Sequence, residues 1–197
     1  MLINFPNNFI IYDLEYTAWE GSKKRNWGNF GEHKEIIEIG AILVNHDFKE
    51  VGSFSKLIIP NKNPILSDYI VNLTGITNKM LSNKGVIFKQ GYLEFLNFIN
   101  KHANIAFAYG DDRNVLLANL KMNHMNHMNH MNNNIIFKNI RPYIEHQLNI
   151  FENSIDSSAL NTYLGIKKTG NAHRAIDDCR AILNGLVYIN QYLETKD

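Results

Sequence analysis

The stretch "FIIYDLEYT", residues 9–17, runs four apolar or aromatic residues straight into Asp13, Leu14 and Glu15. The apolar block predicts a buried strand. In a strand, residues i and i+2 share a face, so Asp13 and Glu15 project side by side. Two carboxylates at a buried strand end repel each other, and a buried charge without a partner is costly. A cation between them removes both costs. An isolated D-x-E triplet also occurs at ordinary strand ends, so its meaning depends on the rest of the chain.

Composition narrows the choices. A chain of 197 residues suits one domain with one sizeable core, here expected over 1–197. With 45% hydrophobic and 20% charged residues, it reads as an ordinary soluble globular protein. A formal net charge of +1 gives no global field for a polyanion or a membrane, although bound divalent cations would add positive charge that composition omits. Cys179 is the single cysteine, which excludes an intrachain disulfide and suits a reducing compartment. The start, "MLINFPNNFIIYD", lacks the basic segment of a signal peptide, and no stretch approaches the roughly 18 apolar residues of a membrane span. The expectation is a cytoplasmic protein with no membrane partner.

Beyond the first strand, residues 15–34 read as a long polar loop. "EIIEIGAILV" (35–44) and "VGSFSKLIIP" (51–60) read as two strands joined antiparallel through "NHDFKE". Short helices broken at Gly75 follow over 64–82, then an amphipathic helix over 89–101. "NIAFAYG" (104–110) reads as a buried strand, "DRNVLLANLKM" as a helix, and "IIFKNI" (135–140) as a further strand. A last helix runs from about Ala172 to Leu193. Together these predict an α/β fold, with a mixed five-stranded sheet of a three-strand antiparallel meander plus parallel strands, flanked by helices. "MNHMNHMNHMNNN" (122–134) places His124, His127 and His130 three apart. A metal stripe is one reading; a loop extended by repeat expansion between helix and strand is the favoured one.

Further acidic positions recur where elements begin. In "AYGDDRNVL", Asp112 precedes Val115 and Leu116 by three and four residues and leans toward the apolar face, while Asp111 sits about 100° round toward solvent. Helix capping is the competing role for this pair. In the helix that begins in "GNAHRAIDDCRAILNGL", Ala175, Cys179, Ile182, Leu183, Leu186, Ile189 and Leu193 form the apolar stripe. Asp178 lies at its edge, and Asp177 lies almost opposite, with Arg174, Arg180 and Asn184 on the wet side. His173 stands at the helix start.

In this order, these residues resemble the DEDDh 3′–5′ exonucleases of the ribonuclease H-like superfamily. Asp13-Leu14-Glu15-Tyr16-Thr17 matches D-x-E-x-T, Asp112 with Val115 and Leu116 matches the second motif, and His173, Ala175 and Asp178 match H-x-A-x-x-D. "LTGIT" (73–77) resembles the segment that lines the pocket for the 3′-terminal nucleotide. The long "TAWEGSKKRNWG" loop is most similar to the histone-mRNA and small-RNA trimming branch and its bacterial relatives. Departures are "YGDDR", where many relatives carry an aromatic or Asn before the Asp, and the Met-Asn-His repeat.

The resemblance implies a ribonuclease H-like sheet and hydrolysis at the 3′ end of single-stranded RNA or DNA to nucleoside 5′-monophosphates. It implies two divalent cations, Mg²⁺ or Mn²⁺, held by Asp13, Glu15, Asp112 and Asp178, with His173 as the proton acceptor. It also implies substrate contacts from Leu14, Tyr16, Thr17, Leu73 and Ile76, and Lys23, Lys24 and Arg25 are candidates for backbone phosphates. Two other classes stay open: a phosphodiesterase for dinucleotides or nucleotide-like metabolites, and a catalytically silent nucleic-acid-binding module.

Overall fold

The computed structural model describes residues 3–126, 134–167 and 173–194, the last three as backbone alone. His127, His130 and Ala172 lie outside the described residues.

The first strand, β1 (Asn8–Tyr16), is buried along nearly its whole length. Phe9 and Ile11 enter one core, and Ile10, Tyr12 and Leu14 enter another. Apolar layers on both sides explain why its apolar block is continuous rather than alternating. β2 (Ile36–Asn45) pairs antiparallel with β1, and β3 (Glu50–Ile59) pairs antiparallel with β2. Helices α1 (Asp68–Thr74) and α2 (Asn78–Lys84) flank Gly75, whose left-handed φ of 70° ends the first of them. Ser67 and Thr77 cap the two N-termini through their hydroxyls.

The chain then forms β4 (Val86–Ile87), α3 (Phe88–His102), β5 (Ile105–Ala108), α4 (Asp112–Met122) and β6 (Ile136–Asn139). α5 (Arg141–Gln147), a 3-10 turn (Ser157–Ala159), α6 (Leu160–Tyr163) and α7 (Ala175–Glu194) complete it. The sheet order is β4-β3-β2-β1-β5-β6, with β5 parallel to β1, β6 parallel to β5 and β4 parallel to β3. The mixed sheet thus has six strands where the sequence predicts five. The extra one, β4, is two residues long, too short to show a period. α5, α6 and the 3-10 turn were likewise not anticipated, being only three to seven residues long.

One contact positions the last helix. A Cβ on Gly40 would stand 2.5 Å from Ala175 C and Ile176 N, so α7 rests backbone against backbone on β2. Gly40 pairs with Asp13 across the β1–β2 ladder. Beside it, fully buried Glu38 accepts from Arg174 Nε (2.9 Å) and Nη2 (2.7 Å), the Ala175 N–H (3.1 Å) and Ser55 Oγ (3.1 Å). Arg174 therefore turns inward, contrary to its expected place on the wet side. It precedes the first residue of α7, where helical phase does not apply. Asn184 also departs from that side, donating to Asn161 Oδ1 of α6 at 2.9 Å. Arg180 does face outward, pairing with Glu50 (3.0 Å) and Asp177 (3.3 Å).

The close approach at Gly40 makes a direct prediction. Gly40→Ala should lower stability by roughly 1–3 kcal/mol, the usual cost of overpacking, read as a lower Tm. An unchanged Tm would contradict this seating of α7.

Candidate active site

Parity along β1 sends Asp13 and Glu15 to the same side as Phe9 and Ile11, the side on which α7 packs. The seating of α7 on Gly40 then presents Asp178, from its first turn, to both carboxylates. Donor atoms of Glu15, His173 and Asp178 all lie within 4.8 Å of one another. His173, two residues before α7, adopts φ 60°. That left-handed conformation is uncommon for a residue with a side chain but is entered more readily by His than by most.

Asp112 reaches the site from the other side of β1. β5 lies parallel to β1, and the turn after it delivers Asp112 as the first residue of α4. Asn139, at the end of β6, accepts from Gly110 N–H (3.1 Å) and Arg141 N–H (2.9 Å), which holds that turn. Asp112 is 9% exposed, while Asp111 is exposed and occupies the N-cap position. Asp178 is 4% exposed, whereas Asp177 is only half-buried and pairs with Arg180.

Burial governs the electrostatics. It raises the Asp13 carboxyl well above the usual range, and Asp112, Asp178, Glu15 and Glu38 push the same way. Burial likewise raises Glu15, reinforced by Asp178, Glu38 and Asp112, with Arg174 opposing. Asp112 is pushed up to about 6 by burial and Asp111, with the backbone at Asp112 and Leu14 acting in the opposite direction. Cys179, fully buried behind the cluster, is raised as well, by burial and then Asp13. Burial and mutual proximity thus raise the carboxyls of Asp13, Glu15 and Asp112 together. An oxygen-rich set with one imidazole fits a hard divalent cation.

The remaining sequence candidates divide by accessibility. Leu14 and Ile76 are buried in apolar cores at 4% and 0% exposure. The buried Thr17 hydroxyl donates to the His33 carbonyl and accepts from Glu35 N–H (3.0 Å), pinning the loop return. Tyr16 and Leu73 keep part of their surface. The Tyr16 phenol is raised by burial and by Asp112, Asp13 and Glu15, which places it among these charges. Of the basic triplet, Lys23 pairs with Asp156 (2.7 Å), Arg25 pairs with Glu32, and Lys24 is exposed. His124 is exposed and is not part of the metal-suited group found among the described residues.

Sequence reasoning missed Glu38 and Asn139. A lone carboxylate inside the apolar run "IIEIGAILV" was the available signal for Glu38. Asn139 carries no comparable mark.

The family model for Exonuclease (RNase_T) matches residues 10–186, and so spans every element carrying the cluster. The chain belongs to this exonuclease family. It is 34% identical over 105 residues to human ERI1 exoribonuclease 2, covering 51% of this chain and 14% of that protein. It is 32% identical over 108 residues to the fission yeast (Schizosaccharomyces pombe) 3′–5′ exonuclease eri1, covering 54% and 34%. The exonuclease chain thus matches only a minor part of these relatives' length. Among solved structures, the nuclease domain of 3′hExo, a DEDDh family member bound to rAMP, superposes with TM-score 0.76 at 22% identity, covering 94% of this chain and 92% of that one. The fold is ribonuclease H-like.

The raised carboxyls set the pH dependence of the metal-free protein. A folded-state pKa near 6 for Asp112, against roughly 4 in the unfolded chain, means that the fold favours the protonated form. Its stabilising contribution is complete below pH ~4 and is lost as pH rises through about 6. Chelator-treated protein should therefore show a Tm that falls across this window, with a smaller fall in Asp112→Asn. A fall of equal size in both proteins would contradict the assignment.

Proposed function

We propose that this chain is a divalent-metal-dependent 3′–5′ exonuclease acting on single-stranded RNA or DNA and releasing nucleoside 5′-monophosphates. The observation that carries the reading is the convergence of buried Asp13, Glu15, Asp112 and Asp178 with His173 at one end of β1. Family membership supports the same chemistry.

In this reading Asp13, Glu15, Asp112 and Asp178 hold two cations, Mg²⁺ or Mn²⁺. Such ions, when bound, supply Lewis acidity and charge neutralisation at a phosphodiester. The chain's own residues do the rest. The carboxylates would hold the cations that neutralise the phosphate, and burial around them excludes bulk water. His173 accepts the proton of the attacking water, as its place beside Glu15 and Asp178 allows. Tyr16 and Leu73 offer surface to the terminal nucleotides; Leu14, Thr17 and Ile76 act from behind by shaping the wall. We read the chain as one exonuclease domain, since the family match and the sheet cover nearly all of it. A cytoplasmic setting belongs to the proposal on the ground of the single, buried thiol. Among the described residues no helix is long and apolar enough to cross a membrane.

Two comparisons test the assignment. Asp178→Asn should abolish turnover while Asp177→Asn retains most of it, and excess chelator should silence the wild type. Equal losses at the two positions, or full activity in chelator, would contradict the metal cage. His173→Ala should cost about 10² to 10⁴ in rate, the range for positioned proton transfer, with calorimetric metal affinity nearly unchanged. A large loss of metal binding would make His173 a ligand instead.

A further inference from the structure

The β1–β2 loop leaves the site strand two residues after Glu15 and is built as a fixed arm. Trp27 Nε1 donates to the Thr17 carbonyl at 2.9 Å, and the Trp27 ring lies 5.5 Å from that of Tyr16. Lys34 Nζ sits 4.3 Å over the Trp27 ring, and Arg25 pairs with Glu32. Asn63 Nδ2 donates to the Gly31 carbonyl at 2.9 Å, tying the apex to the segment after β3.

At that apex stands Phe30, with its side chain wholly open to solvent at 108% relative exposure. Single exposed apolar residues are ordinary on protein surfaces. The setting of this one is not. It lies three positions after Trp27, so the two Cα atoms are at most about 11 Å apart. Trp27 in turn packs on Tyr16, beside Glu15. The same loop carries exposed Lys24, which among the described residues has no ion pair. An exposed aromatic ring on an anchored loop that also carries an exposed lysine is suited to single-stranded nucleic acid, the ring stacking on a base and the cation meeting a phosphate.

We propose that Phe30 is a stacking platform for a base upstream of the scissile 3′ phosphodiester, with Lys24 on the neighbouring backbone. The proposal rests on the exonuclease reading of the site and specifies its substrate as a strand rather than a dinucleotide. Phe30 touches neither the carboxylates nor His173, so it acts on strand affinity.

The test compares wild type, Phe30→Ala and Phe30→Trp on a long labelled single strand and on the p-nitrophenyl ester of thymidine 5′-monophosphate, which lacks any upstream base. One lost stack should raise the strand KM roughly 5- to 100-fold in Phe30→Ala with kcat nearly constant, so the strand-to-ester ratio of kcat/KM falls by that factor. Phe30→Trp should restore it, and Lys24→Ala should reduce the salt slope of strand binding by about 1. An unchanged strand KM in Phe30→Ala, or an equal loss on both substrates, overturns the proposal. Should the wild type cleave neither substrate, the exonuclease reading fails. Fluorescence anisotropy of the labelled strand then still decides Phe30: weaker binding by Phe30→Ala supports the platform, and equal binding overturns it.

Discussion

The backbone contact between α7 and β2 at Gly40 is the constraint on which the site depends. Because a methyl group there would collide with Ala175 and Ile176, the helix lies as close to the sheet as two backbones permit. Glu38 fixes its start by accepting from both Arg174 and the Ala175 N–H. A buried ion pair of this kind is costly to break, because losing one partner strands the other charge. Arg174 offsets only part of the charge that Glu38 brings beside the site, since Glu38 still raises the carboxyls of Asp13 and Glu15. Asp178 is thereby carried to Asp13 and Glu15 by a rigid element, and His173, just ahead of that helix, stands beside Glu15 and Asp178.

Against this seating stands repulsion among carboxylates. Burial and mutual proximity drive Asp13, Glu15 and Asp112 toward their protonated forms. The cluster persists because the two cores on either side of β1 leave its side chains no other arrangement. Phe9 and Ile11 pack under α7 with Cys179, Ile182 and Leu186. Tyr12 and Leu14 pack with Phe95, Val115 and Leu116 on the opposite side. Strain of this electrostatic kind, concentrated in one place, is the usual mark of a site awaiting a charged ligand.

Much of this is legible in the sequence, and the illegible parts have physical causes. β1 is readable because a strand covered on both faces must be continuously apolar until its function intrudes at Asp13. Helical phase separates Asp112 from Asp111 and Asp178 from Asp177, because α4 and α7 are long enough to show a stripe; the burial of each pair follows that division. The same phase misplaces Arg174, which lies ahead of the helix, and Asn184, which faces α6. β4, α5 and α6 are shorter than the windows in which periodicity can be seen. Glu38 and Asn139 matter through partners 136 and 29 residues away in the chain, and local pattern does not carry such pairings.

The central claim is that this buried carboxylate cluster removes nucleotides stepwise from a 3′ end. Its most direct test follows a 5′-labelled single strand over time with Mg²⁺ or Mn²⁺ and identifies the small products by chromatography. The account predicts a descending ladder of labelled strands, each one nucleotide shorter, with nucleoside 5′-monophosphates accumulating in step. Early release of the labelled 5′ nucleotide, internal fragments without a ladder, or nucleoside 3′-monophosphates as product would contradict it.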